Sequence, residues 1–174
     1  MDRSQEKQKD NLILIGMPGV GKSTVGVIAA KVLGYRFLDT DLQIQETYGA
    51  LLSQIIAERG VDGFIQAENE VLSRIQVQRT IIATGGSAVY GKEAMRNLKD
   101  QGNVIWLKLG FEQLQARLGD LKGRGVVLRD GQDLKTLYEE REPLYREYAD
   151  HVIDEENLNI EETVQQLVSA AEAV

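Results

Sequence analysis

The chain has no cysteine. Disulfides and a cysteine-held zinc site are therefore excluded, and the composition fits a reducing compartment. Histidine is almost missing as well, with His151 the only one. A single imidazole supports neither a clustered-histidine zinc site nor a Ser-His-Asp relay. No apolar run approaches the ~20 residues needed to cross a bilayer. The first ten residues are polar and mixed in charge, so neither a signal peptide nor a membrane partner is expected, and the expected location is cytoplasmic. Positive charge is in deficit, with 20 Lys and Arg against 27 Asp and Glu, a net charge of −7. That balance argues against a nucleic-acid partner, which needs a positive surface. A local basic site for one small anion stays open. Repeats and low-complexity stretches are absent. Residues 1–174 are expected to form one domain, a monomer, long enough to bury a core without staples.

What is present is an alternation of short apolar runs and amphipathic stretches. Residues 11–15, 35–38, 80–83, 104–109 and 151–153 read as strands. Helices are expected over 22–33, 42–48, 51–59, 64–79, 93–99, 111–118, 133–148 and 160–173, with Gly34 capping the first and Pro143 a kink or boundary in the seventh. Strands that alternate with helices predict an α/β fold of three layers, a five-stranded parallel sheet covered on both faces. Trp106 sits in an apolar strand and is expected in the core. The run Asp154-Glu155-Glu156 is expected to be a solvated turn, in a position that borders a nucleotide base. Four glycines over residues 119–131 predict a mobile loop.

The segment Gly16-Met17-Pro18-Gly19-Val20-Gly21-Lys22-Ser23-Thr24 matches G-x-x-x-x-G-K-[ST] in full. Its chemistry is that of a polyphosphate cradle. Glycines at Gly16, Gly19 and Gly21 let successive N–H groups turn inward around a dense anion, together with those of Val20 and Thr24. The helix that follows adds its N-terminal dipole. Lys22 supplies a point charge to the β- and γ-phosphates, and the Ser23 hydroxyl is a hard oxygen ligand suited to Mg²⁺. The apolar strand before it and the helix after it are the context such a loop requires. ATP and Mg²⁺ are the expected ligands.

A phosphate cradle alone does not separate kinases from other nucleotidases. The guanine-reading Asn-Lys-x-Asp of switch GTPases is absent, and large ATPase machines need more chain. The order of further segments is more specific: Leu38-Asp39-Thr40-Asp41 after the second strand, Gly85-Gly86 after the third, and Arg141-Glu142-Pro143-Leu144-Tyr145 late in the chain. Together with the phosphate loop these resemble the shikimate kinase family over nearly the whole length. The resemblance implies a P-loop kinase with strand order 2-3-1-4-5, a helical acceptor-binding section at about 42–79 and a lid at about 119–131. It implies that Asp39 holds Mg²⁺ through water with Ser23. It also implies that Asp41 orients or deprotonates the acceptor hydroxyl, that Gly85 and Gly86 lie against the acceptor, and that Arg141 pairs with its carboxylate. Arg117 and Arg124 would lie over the nucleotide, with Arg124 neutralising the transferring phosphate. Plainer readings stand beside these. Asp41 also suits the N-cap of the next helix, and Arg141 also suits a solvated pair with Glu139 or Glu142.

Three positions depart from the family pattern. Gly125 replaces the usual proline, Ser87 replaces a third glycine, and Ile65 stands in Gly63-Phe64-Ile65-Gln66-Ala67-Glu68 where the family carries an arginine that grips the acceptor carboxylate. Losing a hydrogen bond to a charged group costs ~1.5–3 kcal/mol, or ~10–150-fold in affinity. A nearby cation such as Arg59 or Arg74 substitutes, or the acceptor differs, or activity is weak. The expected function is transfer of the γ-phosphoryl of MgATP to a hydroxyl of shikimate, a step of aromatic amino-acid biosynthesis. Two alternatives stay open: a kinase for another small hydroxy acid or amino-acid alcohol, and a nucleotide-binding module without turnover.

Overall fold

The computed structural model describes residues 9–118 and 126–173. Five strands, β1 (Asn11–Ile15), β2 (Arg36–Asp39), β3 (Thr80–Ala83), β4 (Gly102–Lys108) and β5 (His151–Asp154), form one sheet in the order β2-β3-β1-β4-β5. Every pairing is parallel. This is the order the family resemblance implies. β1 lies at the centre because every one of its side chains is buried, which only a strand covered on both faces can satisfy. Ile13 is paired with Ile82 on one side and Val104 on the other. The outer strands β2 and β5 are correspondingly more exposed. Trp106 is buried as expected.

Helices α1 (Lys22–Leu33), α2 (Thr40–Tyr48), α3 (Leu52–Leu72), α4 (Lys92–Gln101), α5 (Phe111–Leu118), α6 (Leu134–Tyr148) and α7 (Ile160–Glu172) cover the sheet. Among the described residues no helix is long and apolar enough to cross a membrane. α1 packs on the sheet through its small residues Gly26, Ala29 and Ala30, while Ile28 and Val32 face outward. A side chain at Gly26 would come within 2.9 Å of the Phe37 ring, so the close approach depends on glycine.

Three expectations about helices change. The two helices expected over 51–59 and 64–79 are one run broken at Gly60, whose φ of 72° and ψ of 177° interrupt it. That run stops at Leu72 instead of reaching Arg79. Side-chain amides on neighbouring elements take the carbonyls that a continued helix would have used: Asn97 donates to Leu72 and Ile75, Gln101 to Ile75, and Asn11 to Val77. α6 runs on past Pro143, whose ring faces solvent while Leu137, Arg141 and Tyr145 anchor the opposite side. Asp154-Glu155-Glu156 is not wholly solvated, because Glu155 is buried.

Candidate active site

The carboxyl ends of β2, β3 and β1 stand side by side, where open parallel sheets collect their ligands. Each strand delivers one part of the site. β1 runs into the phosphate loop, in which Gly16 (φ 147°) and Gly19 (φ 84°) adopt conformations that disfavour other residues. A side chain at Gly16 would strike the Leu107 carbonyl at 2.5 Å, and one at Gly19 the Leu118 side chain at 2.6 Å. Gly21 is the left-handed N-cap of α1, so the free N–H groups of that helix face the loop. Lys22 is buried and its Nζ donates to the carbonyls of Gly16 (2.7 Å) and Met17 (2.8 Å). Burial lowers the Lys22 ammonium to about 8, against the pull of Asp41.

β2 delivers Asp39 and Asp41. Asp39 accepts from the Ser23 hydroxyl at 2.6 Å through one carboxylate oxygen, and from the Asp41 amide at 2.9 Å through the other. Asp39 is thus the N-cap of α2, and the capping alternative for Asp41 fails. With that task filled by its neighbour, the Asp41 carboxyl is free to face the site. Burial, and then the Asp39 charge, raise it above the ordinary carboxylate range. The Ser23 hydroxyl and Asp39 carboxylate are hard oxygen donors. Among the described residues no group of three or more His, Asp or Glu side chains comes together to hold an ion. A small donor set of this kind fits Mg²⁺, which keeps several waters and takes other ligands from phosphate.

β3 delivers Gly85 and Gly86. The Gly85 amide donates to the Thr40 hydroxyl at 3.2 Å, which ties this turn to the start of α2. A side chain at Gly85 would meet Glu68 Oε1 at 2.8 Å and Asp41 Oδ1 at 3.0 Å; one at Gly86 would meet Arg141 Nη1 at 2.8 Å and Pro18. The two glycines therefore let Asp41, Glu68 and Arg141 come close around one turn, the candidate acceptor pocket. Arg141 is only 1% exposed, which removes the solvated reading, and Glu142 pairs with Arg146 instead. Its Nη2 donates to the Val127 carbonyl at 3.2 Å, its guanidinium lies 5.4 Å over the Tyr90 ring, and its Nη1 has no partner among the described residues. Tyr145 locks the floor by donating to the Gly86 carbonyl at 2.7 Å, and burial raises its phenol so that it stays a donor.

A second cleft adjoins the phosphate loop, lined by Gly19, Val20, Gly21, Thr24, Arg117, Glu155 and Asn159. Arg117 lies there, its Nη1 3.5 Å from the Val20 carbonyl. Arg124 and Gly125 lie outside the described residues. Of the expected lid, residues 126–131 are described. Arg129, next to the carbonyl that Arg141 engages, reaches α3 and pairs with Asp62 at 2.7 Å. Neither proposed substitute for the missing arginine enters the pocket. Arg59 is exposed and stacks over Tyr48 at 4.7 Å, and Arg74 borders a separate surface groove beside Leu38 and Gln76.

Two buried carboxyls have no counterpart among the expected site residues. Glu68 stands on the buried stripe Phe64, Ala67, Val71 of α3, and that spacing alone marks it as inward. Glu155 follows Ile153 by two, the period of a strand, and so points to the same side. Each carries one oxygen without a partner among the described residues, and burial raises each to about 7.

Residues 18–172 match the family model described as "Shikimate kinase". The chain is 35% identical to the Shikimate kinase 2 of Yersinia enterocolitica over 152 residues, covering 82% of this chain and 85% of that one. It resembles the solved shikimate kinase of Acinetobacter baumannii in complex with shikimate, at 30% identity and a TM-score of 0.85 over 96% of this chain and 95% of that one. It also resembles the Aquifex aeolicus shikimate kinase, at 31% identity and a TM-score of 0.78 over 94% and 96%.

Proposed function

The chain belongs to the shikimate kinase family, and from that membership we propose how it moves the γ-phosphoryl group of ATP to a hydroxyl of shikimate, giving shikimate 3-phosphate. Phosphoryl transfer asks a protein for in-line placement, neutralised charge and excluded water. The N–H groups of residues 16–24 and the start of α1 bind the phosphates, Lys22 adds a cation beside them, and Arg117 covers the nucleoside end. Ser23 and Asp39 would hold Mg²⁺, which supplies charge neutralisation across the phosphate oxygens. Asp41 accepts the proton of the attacking hydroxyl, and its raised proton affinity makes it a better base than an exposed aspartate. The unpartnered Nη1 of Arg141 takes the acceptor carboxylate against the Gly86 floor. Arg124 is assigned the transferring phosphate by its place in the sequence.

The single observation that carries this reading is the division of labour between two aspartates. Asp39 caps α2 and binds Ser23, which leaves Asp41 facing Gly85 within electrostatic reach of Lys22. Ile65, half-buried where the family carries arginine, favours a second reading in which a different small hydroxy acid is the true acceptor. A coupled ADP-release assay with shikimate, quinate, gluconate and homoserine separates the two. The first reading predicts that shikimate gives the largest rise over the ATP-only rate. If another acceptor gives it, the second reading stands; if none does, the molecule is a nucleotide-binding module.

A further inference from the structure

A guanidinium recognises a planar anion only when its fork is aimed at it, because its five N–H donors lie in one rigid plane. In Arg141 that plane is held by two neutral oxygens. Nη2 donates to the Val127 carbonyl at 3.2 Å, and Nε donates to the Tyr90 hydroxyl oxygen at 3.4 Å. The guanidinium also lies 5.4 Å over the Tyr90 ring, an attractive arrangement for a cation. Nη1 is left without a partner among the described residues, 2.8 Å from the side-chain position of Gly86. Arg141 makes no ion pair among the described residues, so no carboxylate placed there neutralises it.

Tyr90 stands where it can set that aim. It ends the short helical turn Ala88–Tyr90, which follows the glycine pair closely. The Ala88 amide donates to the Gly85 carbonyl at 3.2 Å, and the Tyr90 amide to the Ser87 carbonyl at 3.0 Å. Glycine turn and tyrosine are therefore one piece. A phenol has a single proton, and its direction decides whether the oxygen can accept from Arg141. Glu140 takes that proton: the Tyr90 hydroxyl donates to its Oε1, while its Oε2 accepts from Gln132 Nε2 at 3.1 Å. Burial, and then the bond to Glu140, raise the Tyr90 phenol above its ordinary range, so it keeps the proton it donates. Glu140 thus acts on the guanidinium through a neutral phenol, and the positive charge stays available to a ligand. We propose that Tyr90 is a positioning residue for the acceptor carboxylate: its hydroxyl, oriented by Glu140, holds the Arg141 fork so that Nη1 faces the acceptor.

This inference rests on the kinase reading, and its test separates the two. Wild type, Tyr90→Phe, Arg141→Lys and the double variant are assayed with shikimate and with methyl shikimate, whose ester carries no charge. An ester that is not turned over is measured as a competitive inhibitor. Tyr90→Phe is expected to raise the shikimate KM by ~3–10-fold, with kcat, the ATP KM and the methyl shikimate constant little changed. In the Arg141→Lys background the same substitution is expected to add less than ~2-fold, because the fork it aims is gone. Glu140→Ala is expected to raise the shikimate KM by a smaller factor, and Glu140→Gln, which keeps an acceptor oxygen, to restore it. Equal shifts for acid and ester, no shift for the acid, or a full effect in the Arg141→Lys background overturn the proposal, because a merely structural role moves both acceptors alike. Should Tyr90→Phe fail to fold, Glu140→Ala, at an exposed position, carries the same comparison of acid with ester. Should the wild type phosphorylate neither, the kinase reading has failed, and calorimetric binding of both compounds to wild type and Tyr90→Phe decides this one. A loss confined to shikimate supports it; equal affinities, or no shikimate binding to the wild type, overturn it.

Discussion

The phosphate side and the acceptor side of the site are built differently. The phosphate loop is one contiguous stretch whose work falls mostly on backbone: N–H groups, two glycines that admit no side chain, and the start of α1. The proposed acceptor pocket is gathered from α2, α3, the turn after β3, and α6, and its work would fall on buried side chains. Backbone donors carry no specificity beyond the shape of a polyphosphate, so that half is read from nine consecutive residues. Charged side chains with unpartnered atoms discriminate strongly, because a mismatched ligand leaves them unpaired. On the proposed reading, the phosphate loop specifies the reaction class and the scattered pocket specifies the acceptor.

That contrast predicts unequal effects of substitution. The largest belongs to the residue at the junction. Asp41→Asn removes the proton acceptor while keeping the shape, and kcat is expected to fall by roughly 10²–10⁴-fold with little change in the KM for ATP. An effect confined to a raised acceptor KM, with kcat unchanged, would place Asp41 in binding alone. Next comes the guanidinium of Arg141. Arg141→Lys keeps a cation but loses the planar fork, and the shikimate KM is expected to rise by ~10–150-fold, with kcat less affected. An unchanged KM would mean the carboxylate binds elsewhere.

A smaller effect tests the departures. Ile65→Arg places a cation three residues before Glu68 on α3, one turn away. For a shikimate acceptor the KM is expected to fall by up to ~10-fold. If turnover of the best acceptor drops instead, Ile65 is there to suit a different ligand. The smallest effect is on stability. The native state holds Glu68 and Glu155 at about 7, while an exposed glutamate releases its proton near 4.5. Between those values the native state binds more protons than the unfolded chain, so stability is lost as pH rises from about 4.5 to about 7. Tm is expected to fall across that window by ~2–4 °C per kcal/mol of penalty, and Glu68→Gln is expected to flatten the slope. An identical slope in the variant would remove Glu68 as the cause.

How much of this was legible in the sequence follows the same division. Strand and helix periodicity gave the bounds of β1, α1, β3 and α5 residue for residue, because local pattern and burial agree there. α3 ended early because Asn11, Asn97 and Gln101, from distant elements, captured its carbonyls. No local window contains that competition. The phosphate loop was complete as a motif. On the acceptor side, Asp41, Gly85, Gly86 and Arg141 came from the family resemblance, and the structure brings them together. Glu68, in a segment that matches the family, was given no role, and Glu155 was expected in a solvated turn, because a glutamate is ordinarily solvated; the helical stripe and the strand alternation around them carried the signal of burial. The choice between Asp39 and Asp41 as the cap of α2 needed backbone geometry, since both residue types serve at that position.

The account depends on Asp41 and Arg141 holding opposite ends of one acceptor in the space above Gly85 and Gly86. A crystal structure with ADP, Mg²⁺ and shikimate tests this directly. The account predicts the 3-hydroxyl ~2.6–3.2 Å from the Asp41 carboxylate and the shikimate carboxylate paired with Arg141. Shikimate bound with its carboxylate away from Arg141, or with the 3-hydroxyl turned from Asp41, would contradict it.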